Sequence, residues 1–191
     1  MNYYQEITLL PNMEIGIPFL WAKVYTQLHI SFAEKKNQSG VSFAVSFPEY
    51  GRLGLGNKLR VFAEDEQSLK ILDLKGKVFD RLADYVHITS IHPVPVRRVT
   101  GYAVYSRYQP EGSPENKARR YIKRHDGVSK EQAVALFMKK GTPCSLPYVQ
   151  LKSFSTNRTF SLFIQKQVAK QVIGKGYSTY GLSPVSSVPE F

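Results

Sequence analysis

Between Phe19 and Lys35 the apolar residues Leu20, Val24, Leu28 and Phe32 recur every fourth position, the spacing that gathers side chains on one stripe of an α-helix. Pro18 stands in the first turn, where a helix tolerates proline, and Gly40 supplies a stop. Such a helix must bury its stripe, and the segments around it read as sheet. Tyr3 to Leu10 carries β-branched and aromatic residues and is closed by Pro11. Val41, Phe43, Val45 and Phe47 alternate with small or polar residues, the period of a half-buried strand. Leu59 to Ala63 follows a glycine-rich connection, which predicts an antiparallel pair. Glu64, Asp65 and Glu66 precede Leu69 and Leu72, placing negative charge where a helix begins. Phe79, Leu82 and Val86 extend that helix or start another before a strand near His87 to Ile91. The order β-α-β-β-α-β predicts an α+β fold with a ferredoxin-like N-terminal domain over residues 1–93.

Pro93-Val94-Pro95 marks the expected boundary to a second domain, 94–191. Arg97 to Tyr108 reads as extended. Ser113-Pro114-Glu115 offers an N-cap, a first-turn proline and an acidic second position, and His125-Asp126-Gly127 closes that helix. Ser129 with Gln132 forms a capping box for a further helix ending at Gly141. Leu146 to Ser153 and Thr159 to Gln165 flank Thr156-Asn157-Arg158 as a hairpin, and Tyr177 to Ser183 predicts another short strand.

Charge then narrows the partners. The chain of 191 residues has 26 Lys+Arg against 15 Asp+Glu, a formal charge of +11. This points to a polyanion, nucleic acid before an anionic membrane surface, because neutralising phosphates releases condensed counterions. Its 42% hydrophobic content excludes disorder as the main description. The single Cys144 excludes an internal disulfide and a cysteine-rich zinc site. No apolar run approaches a membrane span, and the N-terminus lacks a basic segment followed by an apolar one, so a cytoplasmic protein is expected.

The basic charge has a focus. On the helix after Ser113, Lys117, Arg120, Tyr121 and Arg124 fall within an arc of roughly 100°, with Arg119 and Lys123 on a neighbouring face. Arg107 and Gln109, just upstream, are the residue types that pair bidentately with guanine and adenine. His29 lies four residues after Tyr25 on the first helix and, taken alone, reads as a core-edge histidine. Ser153 and Ser155 end a strand, where hydroxyls are held rigidly. Tyr180 follows Gly174 and Gly176, which permit close backbone approach. A histidine, a hydroxyl and an orienting aromatic suffice for attack of a ribose 2′-hydroxyl on its own phosphate, a reaction that needs no metal. The acidic run 64–66 is imaginable as a magnesium site, but its place at a helix start gives it a structural reading.

Gln27-Leu28-His29, Ser106-Arg-Tyr-Gln109, Ser113-Pro-Glu-Asn-Lys-Ala-Arg-Arg-Tyr-Ile-Lys-Arg-His125, Leu146-Pro-Tyr-Val-Gln-Leu-Lys-Ser153 with Ser155-Thr156, and Tyr180-Gly-Leu-Ser183 occur in a telling order. Together they resemble the subtype I-F CRISPR repeat-RNA endoribonuclease family, the Csy-type processing enzymes, over nearly the whole chain. The resemblance implies a ferredoxin-like domain and a C-terminal part that grips a repeat stem-loop. It implies His29 as the catalytic histidine, Ser153 as the serine holding the 2′-hydroxyl, Tyr180 as the tyrosine orienting the histidine, and Ser155 lining the same site. Arg120 and Arg124 match the leading arginines of the groove helix, with Lys117, Arg119, Lys123 and His125 beside them. Arg107 and Gln109 match the readers of purines at the stem base, and Phe160 the aromatic that stacks at the stem foot. The implied products are a 5′-hydroxyl and a 2′,3′-cyclic phosphate, no cofactor is implied, and the partners are the repeat RNA and the other subunits of the interference complex. Two other readings stand beside this one. A noncatalytic RNA-hairpin-binding subunit would use the same basic surface, and a helix-turn-helix DNA-binding protein would use the 113–125 and 129–140 helices.

Overall fold

The computed structural model describes residues 1–110, 114–125, 127–137, 144–153, 156–170 and 176–191. The chain forms two compact units, one of Met1–Tyr108 with Leu146–Phe191 and one of Gln109–Ser145. No helix among the described residues is long and apolar enough to cross a membrane.

The larger unit opens with β1 (Tyr3–Leu9), α1 (Ile17–Ser39), β2 (Ala44–Ser46), β3 (Lys58–Ala63), α2 (Glu66–Leu72), β4 (Val86–Ile88) and β5 (His92–Pro93). The sheet order is β2-β3-β1-β4, with β5 continuing along β1 and every neighbour antiparallel. That is the ferredoxin-like topology read from the element order. Gly40 caps α1 in the left-handed region at φ 68°, its N–H donating to Lys36 O. Asp65 caps α2, accepting from the Ser68 N–H at 2.7 Å and the Ser68 hydroxyl at 2.9 Å. This is a structural use of the acidic run. A second sheet, ordered β7-β8-β6-β9, is built from β6 (Gly101–Tyr108), β7 (Tyr148–Lys152), β8 (Thr159–Ala169) and β9 (Val188–Glu190).

Several local expectations are corrected. The 41–47 segment is not half-buried: Phe43, Ala44, Val45, Ser46 and Phe47 are all buried. The helices cover one face of the first sheet, while β6 and β9 of the second meet β2. Beyond α2 the chain takes a π turn at Leu74–Val78 and a 3₁₀ turn at Asp80–Tyr85, so Val86 starts a strand instead of ending a helix. Arg97 lies in a 3₁₀ turn, Val96–Arg98, and the extended segment begins only at Gly101. Tyr177 to Ser183 is a turn, and the last strand is Val188–Glu190.

One core serves both sheets of this unit. α1 buries Leu20, Trp21, Val24, Tyr25, Leu28 and Phe32, and its flank packs on β7. The stripe read from the sequence therefore faces two sheets, which carries the C-terminal hairpin to the side of α1. Polar cross-links fix this arrangement. The Tyr50 hydroxyl donates to Ile164 O at 2.9 Å. The Tyr105 hydroxyl sits between Phe47 O at 3.2 Å and the Glu190 carboxylate at 2.9 Å, which also pairs with Lys166.

The smaller unit is a helical hairpin of α3 (Pro114–Ile122) and α4 (Lys130–Phe137). Ser129 and Gln132 bond reciprocally at 3.1 and 3.2 Å, the capping box expected at that start. The residues 111–113 and 138–143, which contain the Ser113 cap and the Gly141 stop, lie outside the described residues.

Removing the α2 cap with Asp65→Ala should cost about 1 kcal/mol of stability at neutral pH by chemical denaturation. Hydrogen bonds from Ser68 hold the Asp65 carboxyl below the usual carboxylate range. A group depressed in the folded state contributes stability above its unfolded pKa, about 3.9, and loses it as pH falls through the folded value. The wild-type and Asp65→Ala denaturation curves should therefore converge only below about pH 4.

Candidate active site

Residues from three distant parts of the chain line one cleft of about 280 Å³: Thr26 and His29 from α1, Leu151, Lys152 and Ser153 from the end of β7, Phe160 from β8, and Tyr180. All belong to the larger unit. The packing of α1 on β7 brings the first two groups together. The third comes with a turn in which Gly181 N–H donates to Ser178 O at 2.9 Å and Ser178 N–H to Leu182 O at 2.8 Å. Gly181 sits at φ 71°, and its carbonyl accepts from Val45 N–H at 3.0 Å, stitching the turn to β2.

His29 is half-buried and held on two sides. Its ring stacks on that of Tyr180, with centroids 4.0 Å apart and planes 7° from parallel. Its Nδ1 lies 3.1 Å from Thr179 O. A carbonyl only accepts, so Nδ1 carries the proton of that bond and the neutral ring keeps its lone pair on Nε2. An imidazole fixed in this tautomer can take a proton at Nε2 from a hydroxyl placed in the cleft.

Ser153 follows β7, and its N–H donates to Arg158 O at 2.9 Å, one rung past the Lys152–Thr159 pair. Its Oγ accepts from Thr156 N–H at 3.3 Å, which fixes the hydroxyl at the hairpin's turn. Phe160 lies opposite Leu151 in the ladder, so its ring borders the cleft. The Arg107 guanidinium lies over that ring, 5.6 Å from its centroid. Arg107 and Gln109 are exposed at the outgoing end of β6. Ser155 lies outside the described residues.

In the smaller unit α3 ends at Ile122, earlier than the sequence suggests. Arg124 N–H donates to Tyr121 O at 2.9 Å and His125 N–H to Ile122 O at 3.4 Å, and the Tyr121 and His125 rings lie 4.2 Å apart. Arg124 therefore stands on a closing turn and not on a continuous helical arc with Lys117 and Arg120. Ala118 and Ala133 are buried where α3 packs on α4, while Arg119, Arg120, Lys123, Arg124 and His125 are exposed and Lys117 is half-buried.

Sequence reasoning misses Thr179, whose contribution is a carbonyl, and Thr26, one turn before His29. A main-chain acceptor leaves no side-chain signature, but Thr26 is detectable at i−3 from His29 on the same helix face. A larger cleft of about 810 Å³ opens beside the C-terminal end of α1. Its lining carboxylates, Glu64 and Asp65, suit an RNA phosphate poorly.

The family model described as CRISPR-associated protein (Cas_Csy4) matches residues 4–191. The chain is 31% identical over 198 residues to the CRISPR-associated endonuclease Cas6/Csy4 of Escherichia coli (strain UTI89 / UPEC). It is also 31% identical over 194 residues to the CRISPR-associated endonuclease Cas6/Csy4 of Pseudomonas aeruginosa (strain UCBPP-PA14). In both cases the alignment covers 100% of this chain and 100% of the relative.

Gly181 is the most sensitive point of the turn. A Cβ there would meet Val45 Cγ1 at 2.7 Å and Phe32 Cε2 at 3.1 Å, at a backbone angle that side chains disfavour. Gly181→Ala should lower stability by at least about 1 kcal/mol in a denaturant titration.

Proposed function

The chain belongs to the family of CRISPR-associated Cas_Csy4 proteins, and on that footing we propose how it acts: it is a CRISPR RNA-processing endoribonuclease that cuts precursor RNA at the base of the repeat stem-loop by 2′-hydroxyl attack. The observation that carries this reading is the His29 imidazole, stacked on Tyr180, pinned through Nδ1 to Thr179 O, and sharing its cleft with Ser153 and Phe160.

In this mechanism His29 Nε2 takes the 2′-hydroxyl proton. The O2′–P bond forms as the P–O5′ bond breaks, and O5′ leaves with a proton drawn from solvent. The products are a 2′,3′-cyclic phosphate and a 5′-hydroxyl, and no cofactor enters the balance. Ser153 holds the ribose hydroxyl that attacks, Ser155 lines the same site, and Tyr180 keeps the imidazole face-on. Orientation of this kind removes part of the barrier before chemistry begins.

Recognition rests on separate residues. Phe160 stacks on the pair at the stem foot, the platform that aromatic rings commonly give unstacked RNA bases. Arg107, whose guanidinium lies over the Phe160 ring, and Gln109 read purine edges. Lys117, Arg119, Arg120, Lys123, Arg124 and His125 grip the stem. Of these, Arg124 and His125 stand on the turn after α3, at the end of the helix and not along its flank. The processed guide stays bound, in the cytoplasm, and joins the other subunits of a subtype I-F interference complex. On this reading the 94–191 segment supplies the RNA grip and 1–93 the catalytic histidine.

His29→Ala should slow single-turnover cleavage by about 10²- to 10⁴-fold while leaving hairpin affinity unchanged. A repeat hairpin with one 2′-deoxy nucleotide at the cut should bind and stay intact in EDTA. Cleavage of that RNA would overturn the mechanism. Arg120→Ala or Arg124→Ala should weaken binding and flatten its salt dependence by roughly one unit of slope for each phosphate no longer neutralised. Titrating hairpin affinity against salt concentration checks both.

A further inference from the structure

Three donors on one stripe of α1 converge on one turn. Tyr25, His29 and Lys36 fall within about 40° of helical azimuth at ~100° per residue. Each bonds a different main-chain carbonyl of 177–180: Tyr25 Oη donates to Tyr180 O at 2.9 Å, His29 Nδ1 to Thr179 O at 3.1 Å, and Lys36 Nζ to Tyr177 O at 2.8 Å. The middle bond sets the imidazole tautomer. The outer two hold the peptide planes on either side of it.

Tyr25 is the inner anchor. It is 1% exposed, and its ring stacks on Phe47 with centroids 6.2 Å apart. Burial, and next the neighbouring Tyr180, push its phenol far above the ordinary value, so the hydroxyl remains a donor throughout the working pH range. The carbonyl it satisfies belongs to the residue whose ring stacks on His29, so movement of that peptide moves both supports of the imidazole. Lys36 ties down the entrance of the turn from the exposed end of the stripe.

We propose that Tyr25, with Lys36 as its outer counterpart, is a positioning residue for RNA cleavage: it holds the 177–181 turn so that Thr179 O and the Tyr180 ring fix the His29 imidazole. This rests on the reading of His29 as the general base. Neither residue touches RNA in this role, so each acts on the rate of the chemical step and not on affinity.

The test compares single-turnover cleavage and equilibrium binding of a repeat hairpin by wild type, Tyr25→Phe, Lys36→Met, His29→Ala and the double variant Tyr25→Phe/His29→Ala. Phenylalanine keeps the buried ring and its stack on Phe47 while deleting only the donor. The rate should fall roughly tenfold in Tyr25→Phe, about the net worth of one hydrogen bond, with hairpin affinity unchanged. Lys36→Met should slow cleavage about threefold, since water replaces part of an exposed donor's contribution. In the His29→Ala background Tyr25→Phe should cost nothing more, because the residue through which it acts is gone.

A wild-type rate in both Tyr25→Phe and Lys36→Met overturns the proposal. So does a tenfold loss that persists without His29, or a rate loss matched by an equal loss of affinity. If Tyr25→Phe does not fold, Lys36→Met decides by the same criteria. If His29→Ala itself cuts at the wild-type rate, the underlying reading of His29 has failed, an outcome distinct from failure of the clamp alone.

Discussion

The cleft depends on α1 lying against two sheets at once. Its buried residues Leu20, Val24, Leu28 and Phe32 insert into the core of the ferredoxin-like sheet, and its flank meets β7 of the second. The hydrophobic effect supplies the force, at about 25 cal/mol per Å² of apolar surface removed from water, but carries no direction. Direction comes from the polar bonds at the helix edge. Tyr25, His29 and Lys36 each end on a specific carbonyl of the turn at 177–180. Sliding α1 by one residue would break all three bonds together.

On the proposed reading the same logic separates catalysis from grip. The cleft around His29 is small, and the turn that completes it is tied to α1 by three hydrogen bonds, which holds its groups in register. The exposed cations of Arg119, Arg120, Lys123 and Arg124 stand on a short helical hairpin with its own small interface, Ala118 and Ala133 at its centre. Charge attraction to phosphate tolerates side-chain freedom, whereas proton transfer needs atoms within hydrogen-bond reach. On the proposed reading, rigidity is concentrated where the bond is broken.

The elements most legible in the sequence are those whose cause is local. The four-residue recurrence along α1, the capping box at Ser129 and Gln132, and the acidic cap before α2 all appear in the structure because each needs only neighbours in the chain. Where tertiary packing decides, sequence and structure part. The alternation at 41–47 suggests one wet face, but the second sheet covers it. Tyr177 to Ser183 has strand-like composition, yet the carbonyls of 177, 179 and 180 that a strand would pair are taken by donors from α1. His29, Ser153 and Tyr180 are unremarkable one by one and Phe160 enters only through the family resemblance, yet the fold brings all four into one cleft. Thr179 is out of reach of such a reading because a carbonyl has no letter of its own. Arg124 leaves the helical arc because a 3₁₀-type closure at Tyr121 and Ile122 ends the helix first.

The bond from His29 to Thr179 spans 150 positions in the sequence. Loop closure over such a distance is late and slow relative to local structure, and synthesis proceeds from the N-terminus. The histidine therefore leaves the ribosome long before the turn that fixes it, and the hairpin bearing Ser153 arrives in between. The cleft is thus completed only after the segment that carries the basic residues 117–125 has been made, an ordering imposed by topology alone.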